Sequence, residues 1–147
     1  MVRRKELKSE DIMSTALVTV RPEDPLHEAR AKMETAEIRH LPVVDNKQRV
    51  VGMLSNRDLL RTIGSGTGRE RPWVVADIMT RRVRTVRPES PAYEAASLLI
   101  KDKIGSIAVV SDTDELVGII TETDFLVIAK DALAKGRADV DWSTPDL

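Results

Sequence analysis

VGMLSNRDLL at residues 51–60 returns as VGIITETDFL at residues 117–126. In both stretches an apolar run reaches a glycine and two apolar residues follow. A hydroxyl (Ser55, Thr121) then stands three residues ahead of a carboxylate (Asp58, Asp124). The same offset holds outward without a gap: DIM at 11–13 meets DIM at 77–79, TVRPEDP at 19–25 meets TVRPESP at 85–91, and HLPVVD at 40–45 meets SIAVVS at 106–111. From Asp11 to Ile63 there are 18 identical pairs among 53 aligned positions. Chance would give about a third of that or less, so the chain is one unit written twice.

Each half is too short to bury a stable core alone, which predicts two units sharing an apolar interface. The expected boundaries are 9–63 for the first unit, 64–76 for a linker, 77–130 for the second unit and 131–147 for a helix end and tail. Within a unit the pattern predicts strand, helix, strand, strand, helix. ALVTV and RVRTV read as the first strands. Asp24-Pro25 and Ser90-Pro91 then predict an oxygen-bearing N-cap followed by proline at the first helical position. Leu26, Ala29, Met33 and Ala36 follow at helical spacing, as do Ala92, Ala95, Ala96, Leu99 and Ile100 in the second copy. LPVVD and RVVGML, and again IAVVS and ELVGII, flank three-residue gaps that suit tight hairpins. A second helix follows each hydroxyl–carboxylate pair, and the last runs through Lys135 to a break at Gly136.

The linker GSGTGRERPWVVA is glycine-rich but lacks the GK[ST] ending of a phosphate loop. It reads as a connector, with Trp73 and Val74 pinning it to the units. His27 falls early in a helix and reads as solvated, and Met13 and Met79 read as plugs of the core or seam.

Composition limits the function. A 41% apolar and 32% charged chain is globular rather than disordered. Cysteine is absent, so there is no disulfide framework and no thiol nucleophile. No run reaches about eighteen apolar residues, so no membrane span and no secretory signal are expected, and a cytoplasmic location is. The net charge of −1 does not suit a general polyanion binder.

Ser55 and Asp58 have the spacing of a capping box, with Leu54 and Leu59 placed as a hydrophobic staple; Thr121, Asp124, Ile120 and Phe125 repeat it. The same parts also fit a nucleotide cradle. Amides at a helix N-terminus and a hydroxyl can meet phosphate, and a carboxylate can accept from two vicinal sugar hydroxyls. The preceding glycine would let a planar group approach the backbone.

The ordered set, present twice, resembles the cystathionine-beta-synthase (CBS) domain family as a tandem pair. The resemblance covers residues 9 to about 130. It implies an α/β (α+β) fold of two β-α-β-β-α units packed through their sheets about a pseudo-twofold axis. It implies clefts that take adenosine-containing ligands: AMP, ADP or ATP first, with S-adenosylmethionine, NAD or a cyclic dinucleotide in some members. No cofactor is required. It also implies a homodimer, and a sensor that alters a partner protein.

By that resemblance Asp58 and Asp124 match the acidic position that holds ribose hydroxyls. Ser55 and Thr121 match the hydroxyl near the phosphate, and Thr19 and Thr85 line the base or phosphate side. His40, Leu41 and Pro42 match the segment beside adenine in copy one, and Ser106, Ile107 and Ala108 match it in copy two. Arg57 matches a phosphate-assisting position that Thr123 occupies in copy two. Arg39 stands where Gly105 keeps the glycine common in the family, and can reach a phosphate or fill the cleft. Copy one is thus expected to tolerate a di- or triphosphate, and copy two a monophosphate or a less charged ligand.

Three other classes compete with this reading. Catalysis needs acid–base groups at one centre, whereas Asp58 and Asp124 fall in different repeats, and no metal-ligand spacing occurs. Nucleic-acid binding is disfavoured by interleaved charges and only four aromatic residues. The alternative with most weight is a ligand-free pair used for dimerisation or docking. Either way, no attached enzyme or channel is read in the chain, so its output is expected to pass to a separate, unidentified protein.

Overall fold

The computed structural model describes residues 6–65 and 71–136. Its first half runs α1 (Ser9–Ile12), α2 (Leu26–Ala36), β1 (His40–Val44), β2 (Val50–Ser55) and α3 (Asn56–Ser65). The second runs α4 (Val75–Ile78), β3 (Thr85–Val86), α5 (Ala92–Asp102), β4 (Ser106–Val110), β5 (Leu116–Thr121) and α6 (Glu122–Ala134). Each element of the first half returns in the second at the sequence offset. The counterpart of β3 is a single parallel bridge from Val20 to Val43. The chain therefore forms two β-α-β-β-α-like units packed together.

β1 pairs antiparallel with β2, and β4 with β5; both hairpins shift register at the same place, Val43/Val44 and Val109/Val110. β3 joins β4 in parallel. The first strands are shorter than ALVTV and RVRTV predicted. Just after them, the Arg21 amide donates to Asp24 Oδ2 at 2.8 Å and the Arg87 amide to Ser90 Oγ at 3.0 Å. Those bonds turn the chain out of extended pairing. They also correct the expected helix starts. Asp24 and Ser90 close the turn behind them, while Pro25 and Pro91 occupy the cap positions in extended geometry. The first helical amides are satisfied from the other half: Leu26 N–H donates to Trp73 C=O at 3.2 Å, and Ala92 N–H to Leu7 C=O at 2.7 Å. Trp73 does pin the connector, through its carbonyl, and Val74 bridges Pro25.

The two DIM segments are exchanged between units, which the repeat alone did not reveal. Ser9 and Glu10 amides donate to Ser90 and Pro88 carbonyls, and Ser14 bridges Ile119. Val75 and Ala76 amides donate to Asp24 and Pro22 carbonyls, and Thr80 bridges Met53. The aspartate of each DIM reaches back to an amide at the entry of its own short helix, Asp11 to Lys8 and Asp77 to Val74, both at 2.9 Å.

Burial follows this exchange. Val20, Met33, Leu41, Leu54 and Leu59 form the first core with Val75 and Met79. Val86, Leu99, Ile107 and Ile120 form the second, with Ile12 and Met13 packed against it. Val44, Met53, Ala108, Val110 and Leu116 form the seam. The apolar interface expected from half-size is present, and each unit also takes a piece of the other. Ile100, expected on the buried stripe of its helix, is instead 67% exposed, and Ala36 is exposed too. His27 is exposed as expected.

No helix among the described residues is long and apolar enough to cross a membrane. α6 ends at Ala134 and Gly136 takes a left-handed φ of 61°, as the predicted break requires. The tail 137–147 and linker residues 66–70 lie outside the described residues.

Candidate functional site

The paired hydroxyl and carboxylate do cap their helices. In the first copy the Ser55 amide donates to Asp58 Oδ2 at 3.3 Å, and the Asp58 amide donates to Ser55 Oγ at 3.1 Å. In the second, Asp124 Oδ2 accepts from the Thr121 amide at 2.7 Å and from its hydroxyl at 3.4 Å. The staple residues are in place: Leu54 and Leu59 share the first core, while Phe125 packs against the second core, which includes Ile120. Among the described residues, these bonds fall on Oδ2 in both copies. The second oxygen keeps its lone pairs, so one carboxylate can cap a helix and accept sugar hydroxyls at the same time.

The glycines of the motif serve a different purpose from the one expected. A Cβ on Gly52 would lie 2.6 Å from Met79 Sδ and 3.1 Å from the Thr80 carbonyl oxygen. A Cβ on Gly118 would strike Met13 in the same way. The glycines admit the exchanged methionines, not a planar ligand. Met13 and Met79 are the plugs the sequence indicated.

A cleft of about 540 Å³ opens between the units. Thr121, Glu122, Thr123 and Asp124, at the start of α6, form one wall, with Ile119 behind them. Glu37 to His40, with Pro42, from the end of α2 and the start of β1, also line it. Ser14, Ala16, Leu17 and Val18, the extended segment after the first DIM, complete it. Its volume falls in the range of sites for small organic ligands and cofactors.

The cleft thus crosses the copies. Arg39, His40 and Pro42 were grouped by sequence with copy one and Asp58; they line the cleft of Asp124. The exchange of α1 and the packing of the units cause this. Thr121, Thr123 and Asp124 are brought to the same space. Leu41 and Ile107 have no exposed surface and belong to the two cores, and Ala108 is likewise buried at the seam. Ser106 is buried beside them in β4, opposite Thr121. Thr19 is half-buried and its carbonyl accepts from Lys32 Nζ at 2.8 Å. Thr85 is exposed in β3 opposite Ala108. Ser55, Arg57 and Asp58 sit at the matching start of α3, away from this cleft's lining. Glu37, Glu122 and the 14–18 segment were missed. Their positions beside the motif were visible, but which unit the first segment joins was not.

His40 lies at the meeting of the halves. Its ring faces Gly105 so closely that a Cβ there would come within 2.6 Å of Nε2. Burial holds its pKa below the ordinary imidazole value and Arg39 adds to the effect, while Glu122 and Asp58 pull the other way. The main chain fixes the cleft rim: Glu122 N–H donates to Gly105 C=O at 3.4 Å, and Asn56 N–H donates to Arg39 C=O at 2.8 Å.

Comparison with known proteins agrees with this architecture. The CBS domain family model matches residues 9–65 and 75–131, and the chain belongs to that family. Among curated relatives, inosine-5'-monophosphate dehydrogenase of Methanocaldococcus jannaschii is 34% identical over 119 residues, covering 81% of this chain and 23% of that protein. The chain thus spans about a quarter of that relative's length. Among solved structures, a putative acetoin utilization protein (AcuB) from Vibrio cholerae is 37% identical, with a TM-score of 0.75 over 88% of this chain and 95% of that one. The CBS domain pair of protein MJ0100, in complex with 5'-methylthioadenosine and S-adenosyl-L-methionine, is 26% identical, with a TM-score of 0.79 over 86% and 98%. CBSX2 in complex with AMP is 27% identical, with a TM-score of 0.73 over 86% and 98%.

Proposed function

We propose that this pair of CBS domains is a regulatory module, not an enzyme, that binds an adenosine-containing ligand in the cleft between its units and signals to a separate protein. The observation that carries this reading is the Asp124 carboxylate. It lines a cleft of suitable volume and, among the described residues, its bonds to the start of α6 fall on Oδ2, which leaves an acceptor for a ribose diol. MJ0100 and CBSX2, of the same fold, hold adenosine compounds. Asp58 repeats the cap in the first copy and is assigned the same role in a second cleft. Ligands of the AMP, ADP and ATP class and S-adenosyl compounds are the candidates. The apolar side chains Leu60, Ile63, Leu126, Val127 and Leu133, exposed on α3 and α6, support assembly as a homodimer.

Thermal unfolding with each adenosine compound tests this reading, because a ligand bound to the folded state alone raises stability. At millimolar ligand at least one compound should raise the midpoint. Asp124→Ala should abolish the rise assigned to the described cleft. A flat profile across the whole panel would favour a ligand-free scaffold.

A further inference from the structure

The cleft at Asp124 and the matching positions of the other copy carry opposite charge. Among the described residues, three carboxylates, Glu37, Glu122 and Asp124, line the cleft against one guanidinium, Arg39. At the positions 66 residues away, Glu37 becomes Lys103, Glu122 becomes Asn56, and Thr123 becomes Arg57. Ala16 and Val18 become Arg82 and Arg84, the latter held by Asp102 at 2.8 Å. The correspondence is geometric as well as sequential. Glu37 and Lys103 both take the left-handed conformation after their helices, at φ 55° and 52°. Ser14 bridges Ile119 just as Thr80 bridges Met53.

We propose that the Asp124 cleft selects adenosine derivatives whose 5′ substituent is neutral or cationic and rejects 5′-phosphates; this rests on the adenosine reading above and names the ligand class of that site. A helix N-terminus ordinarily attracts an anion. Here the first turn of α6 already carries Glu122 and Asp124, and Glu37 lines the same cleft. A phosphate would add like charge beside these carboxylates. A thioether brings no such repulsion, and a sulfonium gains attraction. Arg39 alone does not reverse the balance, and His40, held towards its neutral form, adds little positive charge.

Titration calorimetry on the full chain with 5'-methylthioadenosine, S-adenosyl-L-methionine and AMP tests the proposal. The first two should bind, with heats lost in Asp124→Ala, and AMP should be at least about tenfold weaker at that cleft. That gap should narrow as salt is raised. Glu37→Lys combined with Glu122→Asn and Thr123→Arg gives the cleft three residues of the other copy and should reverse the order. Thr123→Arg alone, at an exposed helical position, should narrow the gap and serves if the triple variant does not fold. AMP binding as tightly as 5'-methylthioadenosine, with its heat lost in Asp124→Ala, overturns the proposal while leaving the adenosine reading intact. An unchanged gap in the folded Thr123→Arg variant does the same. Absence of binding by every compound overturns both.

Discussion

The His40 ring occupies the space that any side chain at residue 105 would need, with Nε2 within 2.6 Å of where a Cβ would stand. The two residues occupy neighbouring steps of the repeat, 39–40 in one copy and 105–106 in the other. Bulk in the first copy, Arg39-His40, is matched by smallness in the second, Gly105-Ser106. Gly105→Ala should therefore destabilise the protein by about 1–3 kcal/mol, as overpacking does. Removing the ring with His40→Ser should recover most of that loss. Urea unfolding of the two single variants and the double variant measures the coupling. Additive effects would show that the contact does not limit residue 105.

Gly52 should be equally intolerant for a related reason. Gly52→Ala meets the flexible Met79 Sδ but also the Thr80 main-chain oxygen, at 2.6 and 3.1 Å. A methionine can move and a bridged strand cannot, so Met79→Ala should relieve only part of the strain. A loss of about 1–3 kcal/mol is expected for Gly52→Ala in the same urea assay. A stable Gly52→Ala protein would mean that the exchanged segment is not held as described.

Stability should fall with acid through His40. Its folded pKa lies below the ordinary 6.5, mainly because burial penalises the charged ring; Arg39 acts in the same sense, and Glu122 and Asp58 oppose it. As pH falls below 6.5, the unfolded chain takes up the proton before the folded one does. The neutral ring is thus tolerated in full above that value, and stability declines below it until the folded value is passed. His40→Gln should remove this part of the slope. Urea midpoints of both proteins from about pH 7.5 to about pH 5 measure it, and parallel curves would exclude the effect.

The repeat made the fold legible because identical pairs fell on structural necessities: the proline before α2 and α5, the valines of the central strands, the glycine and aspartate of each motif. The capping box was legible too, since it is a local device. What the sequence did not reveal was non-local. A segment at one end of a repeat can pack on either unit with the same pattern of burial, and only the folded chain shows that α1 joins the second unit and α4 the first. By sequence His40 and Pro42 group with Asp58 as one copy; in the folded chain both also line the cleft of Asp124, while His40 stays within reach of the Asp58 charge. The role of the glycines was misread for the same reason, because the methionines that need their space come from the other half of the chain.

Leu60 and Leu126 hold equivalent places on α3 and α6, and are 58% and 67% exposed. Paired exposure of large apolar side chains fits a contact made by both units at once. Sedimentation velocity should show a dimer, and Leu60→Glu with Leu126→Glu should shift it to monomer without loss of helical circular dichroism. A monomer at every concentration of the unaltered chain would remove the homodimer.

The ribose contact can be measured in isolation. Calorimetry would compare adenosine with 2′-deoxyadenosine and 3′-deoxyadenosine, on the unaltered chain and on Asp124→Asn. If Asp124 accepts the diol, loss of either hydroxyl should weaken binding at its cleft by about tenfold or more, the scale of a hydrogen bond to a charged acceptor. In Asp124→Asn that penalty should largely vanish. Equal affinity for all three nucleosides on the unaltered chain, or a penalty that survives intact in Asp124→Asn, would contradict the assignment of Asp124 as the ribose acceptor.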